Sequence, residues 1–313
     1  MQSMLHTFPK QQLSSLQILM RRWHIQQRYF RKFFELVNFE DPQSFREKTN
    51  YRKLYGNQPL YAQLADKYRV RQFVEQRIGA EHLVPLLGVY DRLTPEIFDT
   101  LPHQFIIKAN HGCKWNKIVW DKSQLDIPAT VKHFNQLLRR KYGLTSGEFH
   151  YALIEPKIVV EQLLVADGKE PVDYSVFCFH NSRGFEFGFN VEIQDTKRHI
   201  HFDQDWNVLE AHCSPEEVER YRRPKNHEQM VGLAERISRG FDFVRVDLYN
   251  LEGQIYFGEM TFTASAGLHK HGTPKRAALR NSQWELDRNN PLLYLQPHTI
   301  KQPGRFALAT RGA

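Results

Sequence analysis

Arg245, Asp247 and Glu259 are charged residues on two segments that predict adjacent β-strands. The segments 243–249 and 254–261 are rich in β-branched and aromatic residues, and a short connection ending in glycine joins them. Successive side chains of a strand point to opposite faces, so Arg245 and Asp247 lie on the same face. The pattern predicts a β-hairpin that carries one arginine and two carboxylates.

The turn of this hairpin determines how close the two carboxylates come. We expect a three-residue loop at Leu251–Gly253, with Gly253 in the left-handed conformation. This register places Asp247 opposite Phe257 and diagonal to Glu259, with about 7–8 Å between backbones. Both carboxylates could then reach one Mg²⁺ ion, which typically takes one or two carboxylates plus water and phosphate oxygens. An exposed hairpin with surface ion pairs worth about 0–1 kcal/mol is the alternative.

Two further segments carry residues suited to binding phosphate and a base. Lys108 ends the predicted strand 105–108, and the polar loop after it leads into a second strand, 117–120. Backbone amides in such a loop can hold phosphate oxygens, although the pattern is not that of a P-loop. The predicted strand 157–164 runs into Glu161-Gln162 and an apolar step, where backbone groups could meet an adenine edge. Each segment alone also fits an ordinary hairpin or a buried strand ending.

The rest of the pattern indicates the elements that position these segments. Strands are also expected at 174–179 and 185–191, helices at 61–78, 129–142 and 227–239, and turns over 85–102. Strands in hairpins with helices set between them favour an α+β chain over a regular β-α alternation.

A basic amphipathic helix is predicted over 16–37. Its apolar residues recur at three- and four-residue steps and are interleaved with five arginine and lysine residues. We expect the apolar stripe to pack on the body of the protein. Docking on a membrane surface or on a partner protein is the alternative.

Composition limits the class of protein. The 313-residue chain has 41% hydrophobic side chains, enough for one large core or two lobes. Its net charge of +8 favours anionic partners such as nucleotides, acidic glycans, nucleic acids or membrane surfaces, without choosing among them. Cys113, Cys178 and Cys213 are far apart and give no disulfide or zinc pattern.

The sequence has no apolar run of about eighteen residues and no signal-peptide core. We therefore expect a cytoplasmic protein, with peripheral contact at the inner face of the membrane as the alternative.

Two histidines and one basic run are left outside the site. His199 and His201 share a strand face and could bind a transition metal, but no third ligand lies at a characteristic spacing. An exposed strand is therefore expected there. The run Arg220–Lys225 could grip an acidic glycan or a phosphate backbone, and a solvated loop is expected.

In order and spacing, these segments resemble an ATP-grasp enzyme. The residues that carry the resemblance are Lys108 before its loop, Val-Val-Glu161-Gln-Leu-Leu164, and Arg245-Val-Asp247 followed by Glu259-Met-Thr261. More narrowly, the chain resembles the TupA-like branch, associated with teichuronopeptide and surface-polysaccharide biosynthesis. The motifs that carry this resemblance are Asp41-Pro-Gln-Ser-Phe-Arg-Glu47-Lys48, Leu64-Ala-Asp66-Lys67-Tyr-Arg-Val-Arg71, Pro85-Leu-Leu-Gly88-Val-Tyr, Asn110-His-Gly112 and Phe257-Gly-Glu-Met-Thr-Phe-Thr263. The resemblance covers roughly residues 35–268.

The resemblance implies an ATP-grasp fold, in which two α+β lobes grip ATP, with an N-terminal helical segment. It implies ATP and Mg²⁺ as cofactors, and Arg245 as the catalytic residue that balances charge at the transferred phosphoryl group. Asp247, Glu259 and Thr261 are the implied metal residues. The implied ATP-binding residues are Lys67 and Lys108 at the phosphates, Asn110, His111 and Gly112 in the loop, Glu161, Gln162, Leu163 and Leu164 at the adenine, and Asp167 at the ribose.

We expect four segments along the chain: a basic helical segment at 1–55, a short segment at 56–104, the ATP-grasp module at 105–290 and a tail at 291–313. The activity implied by the resemblance is ligation of a carboxylate to an amine through an acyl phosphate, in cell-surface polysaccharide or glycopolymer synthesis. An amino acid would be joined to a uronic acid or a peptide acceptor.

Partners implied are ATP, the acid and the amine, with an acidic glycan, a membrane surface or a glycosyltransferase as further contacts. An ATP-dependent sugar kinase with Asp173 as its base, or a glycosyltransferase-associated protein, stays open as an alternative. So does a non-enzymatic binder of polyanions or membrane surfaces. No strong nucleic-acid motif is present, and no specific nucleic acid is expected.

Overall fold

The computed structural model describes residues 13–166, 168–269, 272–296 and 300–301. Numbered in chain order, the α-helices are α1 (Ser15–Phe33), α2 (Phe45–Tyr55), α3 (Gln58–Ala65), α4 (Val70–Ile78), α5 (Ile97–Thr100), α6 (Ile127–Leu137), α7 (Pro215–Arg220), α8 (His227–Ser238) and α9 (Pro274–Gln283). The strands are β1 (Leu13–Ser14), β2 (Leu86–Tyr90), β3 (Phe105–Ala109), β4 (Asn116–Val119), β5 (Ile158–Gln162), β6 (Asp173–Asn181), β7 (Gly184–Glu192), β8 (His199–Phe202), β9 (Val208–Ala211), β10 (Phe243–Leu251), β11 (Gln254–Thr261) and β12 (Ile300–Lys301).

Two antiparallel sheets form the body of the molecule. The larger has six strands in the order β11-β10-β6-β7-β8-β9, and the smaller has four in the order β2-β5-β3-β4. The short strands β1 and β12 pair in parallel as a separate sheet. Antiparallel sheets combined with helices confirm the predicted α+β class.

One face of the six-stranded sheet packs against α8. Val176, Val244 and Val246 occupy alternate positions of β6 and β10, and they are buried in one cluster with Leu233 and Ile237 of α8. Because side chains alternate along a strand, the residues between these positions point to the opposite face. That opposite face carries the predicted site.

The four-stranded sheet has a core of its own. Phe105, Ile107 and Val160 pack with Phe134 of α6, and all four are fully buried. The helix begins after Asp126, whose side chain accepts a hydrogen bond from the third backbone N–H beyond it. This separate core supports β3, β5 and the loop between β3 and β4.

Arg52 of α2 fixes the ends of the β10–β11 hairpin. Its guanidinium donates to the carbonyl oxygens of Phe243 at 2.7 Å and Phe262 at 3.1 Å, and it pairs with the carboxylate of Asp242. The Tyr294 hydroxyl donates to the second oxygen of Asp242 at 2.7 Å. A buried ion pair is tolerated when its remaining hydrogen bonds are satisfied in this way. The hairpin is therefore held at its open end.

Two sequence predictions need correction at the centre of the chain. The single helix expected at 61–78 is wrong, because Asp66 accepts hydrogen bonds from the backbone N–H groups of Tyr68 and Arg69 and breaks it into α3 and α4. The segment 85–102, expected to be turns, contains α5 and the strand β2, which pairs with β5.

The N-terminal helix turns most of its predicted apolar stripe to solvent. Phe33 and Val37 pack on the body as expected, but for the rest of the stripe the expectation is wrong. The helix instead buries Ile25 and Tyr29, which pack with Leu54 of α2. It also ends at Phe33, before the predicted end, because Phe34 takes the left-handed conformation with φ of 59°. The exposed part of the stripe comprises Leu16, Leu19, Met20, Trp23, Phe30 and Phe34, with exposed fractions of 46–79%. Within the described part of the chain, no helix combines the length and apolarity needed to cross a membrane.

Candidate active site

The β10–β11 hairpin brings its two carboxylates closer together than the sequence predicted. The predicted three-residue loop is wrong, since the turn consists of Glu252 and Gly253, with φ of 51° and 95°. A register shift then places Asp247 directly opposite Glu259, and not opposite Phe257. The shorter turn shifts the pairing by one residue, and a β-bulge in β11 shifts it by one more. Directly paired residues share a face, so both carboxylates point to the same side of the sheet.

Arg245 links these two carboxylates. Its Nε donates to Asp247 Oδ1 at 2.7 Å, and its Nη2 donates to Asp247 Oδ2 at 2.5 Å and to Glu259 Oε1 at 2.9 Å. The Thr261 hydroxyl donates to the same Glu259 oxygen at 3.1 Å. The structure thus brings together the four residues predicted at the catalytic and metal positions.

A third carboxylate, Asp173 of β6, faces the same group. Its Oδ1 atom is buried and has no hydrogen-bond partner among the described residues. Burial, reinforced by the charge of Asp247, raises the pKa of Asp173 well above its usual value. Burial also raises the pKa of Asp247 to about 6, although Arg245 acts in the opposite direction. An excess of buried carboxylate oxygen over positive charge fits a hard divalent cation such as Mg²⁺.

Lys67 connects these acids to the loop between β3 and β4. Its Nζ lies 3.7 Å from Glu259 Oε2 and donates to the carbonyl oxygen of Gly112 at 3.0 Å. Gly112 packs so closely that an added Cβ would lie 2.3 Å from the ring of Trp115. The loop therefore reaches the edge of the six-stranded sheet at a position that only glycine fits.

Lys108 belongs to a second charged group, on the smaller sheet. Its Nζ donates to Glu161 Oε2 at 2.6 Å, and Arg71 of α4 donates to Glu161 Oε1 at 2.9 Å. Two cations thus share one carboxylate, which leaves positive charge available for an anionic ligand.

The side chains of Asn110 and His111 anchor the loop between β3 and β4. Both are at most 1% exposed. Asn110 donates to the carboxylate of Asp66 and to the carbonyl oxygen of Glu155, each at 2.9 Å, and His111 contacts the Leu137 carbonyl oxygen at 3.2 Å. Direct contact of these two side chains with a nucleotide stays a prediction.

A cavity between the two sheets adjoins these charges. Gln162, Leu163 and Leu164, three of the four residues predicted at the adenine, line this cavity. The carboxylate of the fourth, Glu161, pairs with Arg71 and Lys108. The position predicted at the ribose, Asp167, lies outside the described residues. The cavity is lined by Val84, Ile106, Lys108, Gln162, Leu163, Leu164, Glu170, Pro171 and Tyr249.

Sequence reasoning missed Arg71 and Tyr249 as members of this site. Tyr249 continues the alternation of Arg245 and Asp247 along β10 and therefore shares their face, so the signal was present in the sequence. Arg71 reaches Glu161 through the packing of α4 beside β5. No local pattern reveals a contact between residues so far apart in the chain.

Comparison with known proteins decides the family. The sequence profile described as TupA-like ATPgrasp matches residues 47–277, well over half of the chain. This chain belongs to the TupA-like ATP-grasp family. The match confirms the predicted ATP-grasp fold, and Lys67, Lys108, Arg245 and Glu259 all lie within it. No curated protein matches the TupA-like chain at a significant level.

Solved structures with similar folds include several ligases. A D-alanine–D-alanine ligase from Helicobacter pylori is 11% identical, with 71% of this chain and 61% of that chain covered and a TM-score of 0.42. An L-amino acid ligase from Bacillus licheniformis is 12% identical, with 82% and 53% covered and a TM-score of 0.43. A D-alanine–D-alanine ligase from Bacillus anthracis complexed with ATP is 13% identical, with 70% and 61% covered and a TM-score of 0.40. The TupA-like chain therefore spans 53–61% of the length of these proteins.

Proposed function

We propose that this TupA-like protein uses Mg-ATP to join a carboxylate to an amine. The observation that carries the proposal is the contact of Arg245 and Lys67 with the carboxylate of Glu259, beside the loop between β3 and β4. Carboxylates suited to a divalent cation and lysines suited to phosphate oxygens thus lie in one cleft. Nucleotide phosphoryl transfer depends on holding the phosphates and the metal in this way.

Asp247 and Glu259 are the residues that would hold Mg²⁺, with Thr261 beside them. The bound ion neutralises the negative charge of the nucleotide phosphates. Lys67 and Lys108 bind phosphate oxygens by exchanging their present carboxylate partners for the nucleotide. The adenine occupies the cavity lined by Gln162–Leu164 and Tyr249.

The reaction has two steps. A carboxylate oxygen of the acid attacks the γ-phosphorus of ATP, the bond to the β-phosphate oxygen breaks, and ADP leaves with the acyl phosphate formed. The amine nitrogen then attacks the acyl carbon, phosphate leaves, and the nitrogen loses a proton to give the amide. Arg245 stabilises charge on the phosphoryl and acyl oxygens in both steps. A carboxylate is already nucleophilic, so positioning and charge balance are the protein's main contributions.

For the substrates, we propose an amino acid and a uronic acid or peptide acceptor of a cell-surface polymer. The support is the resemblance to the TupA-like branch together with the excess of positive charge, which suits acidic glycans. Transfer to a sugar hydroxyl is less well supported, because it requires a base to accept the hydroxyl proton. Asp173 is the candidate for that base, and burial together with the charge of Asp247 raises its pKa well above its usual value.

ADP release tests this proposal. Purified protein is incubated with Mg-ATP and pairs drawn from a panel of acids and amines. The expected result is ADP formation that requires Mg²⁺, the acid and the amine together, with one amide formed per ADP. ADP formation with a sugar alone would favour the kinase, and salt-sensitive polyanion binding without any response to Mg-ATP would favour a non-enzymatic binder.

We further propose that α1 docks this enzyme on an acidic membrane surface. The exposed apolar stripe lies on a helix without acidic residues, on which Arg31 and Lys32 are exposed. Arg22 pairs with Glu40, and Arg21 lies over the Phe149 ring. An apolar stripe flanked by cations binds membranes through apolar burial and attraction to anionic headgroups. The charge complementarity favours this occupant over a second apolar protein surface.

Replacing Trp23 with serine should weaken binding to vesicles that contain phosphatidylserine by roughly tenfold. The indole is 65% exposed on the stripe, and burying a side chain of this size contributes about 1.5–3 kcal/mol. Co-sedimentation with vesicles measures the change. Trp120→Ser, at a tryptophan 41% exposed elsewhere, is the matched control and should bind like the wild type. Equal binding by both variants, or no binding by the wild type, would contradict membrane docking.

A further inference from the structure

A continuous row of polar residues crosses the six-stranded sheet, starting at the predicted metal residues Glu259 and Asp247 and ending at Glu210 on β9. Strand pairing places each member directly opposite the next, so all of them point to the face that carries Arg245. Asp247 is paired with Glu259 on one side and with Ser175 on the other. In order, the row is Glu259, Asp247, Ser175, Asn190, His201 and Glu210.

Arg280 of α9 lies over the middle of this row. Its Nη2 donates to Asn190 Oδ1 at 2.7 Å, and its guanidinium lies 3.5 Å from the centre of the Phe177 ring. Phe177 is the residue paired with Arg245 across β6 and β10. Arg280 therefore lies beside the catalytic centre, because the ring it stacks on belongs to the residue paired with Arg245.

Arg280 differs from the other arginines on this face. Arg245 has two carboxylate partners, and Arg276 pairs with Glu210 at 2.8 Å. Arg280 is only 7% exposed, yet it forms no ion pair with any described residue. Its hydrogen-bond partner is a neutral amide and its stacking partner is a neutral ring.

A buried guanidinium without a counter-ion is costly, because desolvation of the charge is not compensated by an opposite charge. Burial and the nearby charges of Arg276 and Arg245 lower the pKa of Arg280 well below its usual value. An anionic ligand bound at Arg280 would remove this imbalance. The hydrogen bond to Asn190 keeps the guanidinium oriented before the ligand arrives.

We propose that Arg280 and Asn190 bind a substrate carboxylate that is not the one activated by ATP. Asn190 is two strands from Asp247, a separation on the order of 10 Å. That distance leaves room for a phosphoryl group, an acyl carbon and an amine between the metal acids and the second carboxylate. The proposal rests on the proposed ligase function and selects an amine co-substrate that carries its own carboxylate, as amino acids do.

The far end of the row offers a competing site, for a metal. Ligand atoms of His201, Glu210 and His212 lie within 4.8 Å of one another, so the partners of His201 are Glu210 of β9 and His212 just after it, and not the predicted His199. His201 is also buried, at 6% exposed, and not on an exposed strand as expected. However, the carboxylate of Glu210 already pairs with Arg276, and a second guanidinium, that of Arg280, lies next to Arg276. This concentration of positive charge opposes a divalent cation and favours an anion.

Thermal unfolding with a non-hydrolysable ATP analogue and Mg²⁺ tests the proposal. The probes are α-amino acids, each compared with its methyl ester, which removes the negative charge. At least one free acid should stabilise the wild type more than its ester. In Arg280→Gln, that ligand should bind roughly 10- to 100-fold more weakly, because a hydrogen-bonded charge contributes about 1.5–3 kcal/mol. Glucuronate forms a separate arm, because its single carboxylate is the one that ATP would activate, and its affinity should be the same in Arg280→Gln and wild type.

Arg183→Gln is the matched control, because Arg183 is exposed and bonded to a carbonyl oxygen of α9 outside the row. Unchanged Mg-nucleotide stabilisation in Arg280→Gln shows that the variant is folded. Equal responses to amino acids and their esters, no response to any amino acid, or equal affinities for the amino acid in Arg280→Gln and wild type would overturn the proposal while the nucleotide site stands. Absence of Mg-nucleotide stabilisation in the wild type would instead overturn the proposed ligase function. If Arg280→Gln does not fold, Arg280→Lys replaces it and should still weaken binding, since lysine cannot make the same paired hydrogen bonds.

Discussion

Glu259→Gln should abolish the stabilisation of the protein by Mg-ATP. At a ligand concentration 100 times its dissociation constant, the wild type should gain about 2.7 kcal/mol in free energy of unfolding. Glutamine has the same shape but lacks the negative charge that a hard divalent cation requires. Arg245 would still be held by Asp247 through two hydrogen bonds, so the variant should fold. Thermal unfolding with and without Mg-ATP measures the difference.

Glu252→Gln is the matched control for this variant. Glu252 lies in the turn of the same hairpin, is exposed and has no place in the site. It should retain the full response to Mg-ATP. A normal response in Glu259→Gln would remove this residue from the metal site, and no response in the wild type would end the ATP-dependent proposal.

The hairpin at the centre of the site could be predicted because its signals are local. Alternation along 243–249 places Arg245 and Asp247 on one face, and the glycine in the connection marks the turn. The register could not be predicted, because the bulge in β11 depends on how that strand pairs with β10. A shift of two residues, one from the shorter turn and one from the bulge, decides whether Asp247 meets Glu259 or lies diagonal to it.

Other parts of the site depend on contacts between distant segments. Arg71 meets Glu161, and Arg280 meets Asn190, through the packing of a helix on a strand that lies far away in the chain. Residue types and spacing carry no signal for such contacts. The amphipathic period of α1 was visible in the sequence, but the period alone does not tell which side of the helix meets the protein body.

The two lobes explain why residues from separate segments must meet. Lys108 and Glu161 lie on the four-stranded sheet, whereas Asp247 and Glu259 lie on the six-stranded sheet. Lys67, between α3 and α4, contacts both the loop of the smaller lobe and the acids of the larger one. The break in the predicted helix at Asp66 therefore has a structural role, because it brings Lys67 to the junction between the lobes.

Arg245→Lys should reduce the rate of ADP formation by roughly a thousandfold while Mg-ATP still binds. Lysine keeps the positive charge but cannot donate in parallel to both oxygens of Asp247 and also reach Glu259. An arginine that stabilises a transferring phosphoryl group contributes roughly 10³–10⁵ in rate, and that contribution arises mainly in the transition state. Steady-state kinetics should therefore show a fall in kcat with a much smaller change in KM for ATP.

The matched control for this variant is Arg239→Lys, at an exposed arginine that pairs with Glu235 on α8. It should retain wild-type kinetics. Near-normal kcat in Arg245→Lys would mean that Arg245 only neutralises the acids in the free protein. A loss confined to KM would mean that it binds ATP equally in the ground and transition states. Only a loss in kcat fits a guanidinium held by Asp247 and Glu259 in the position where negative charge develops during phosphoryl and acyl transfer.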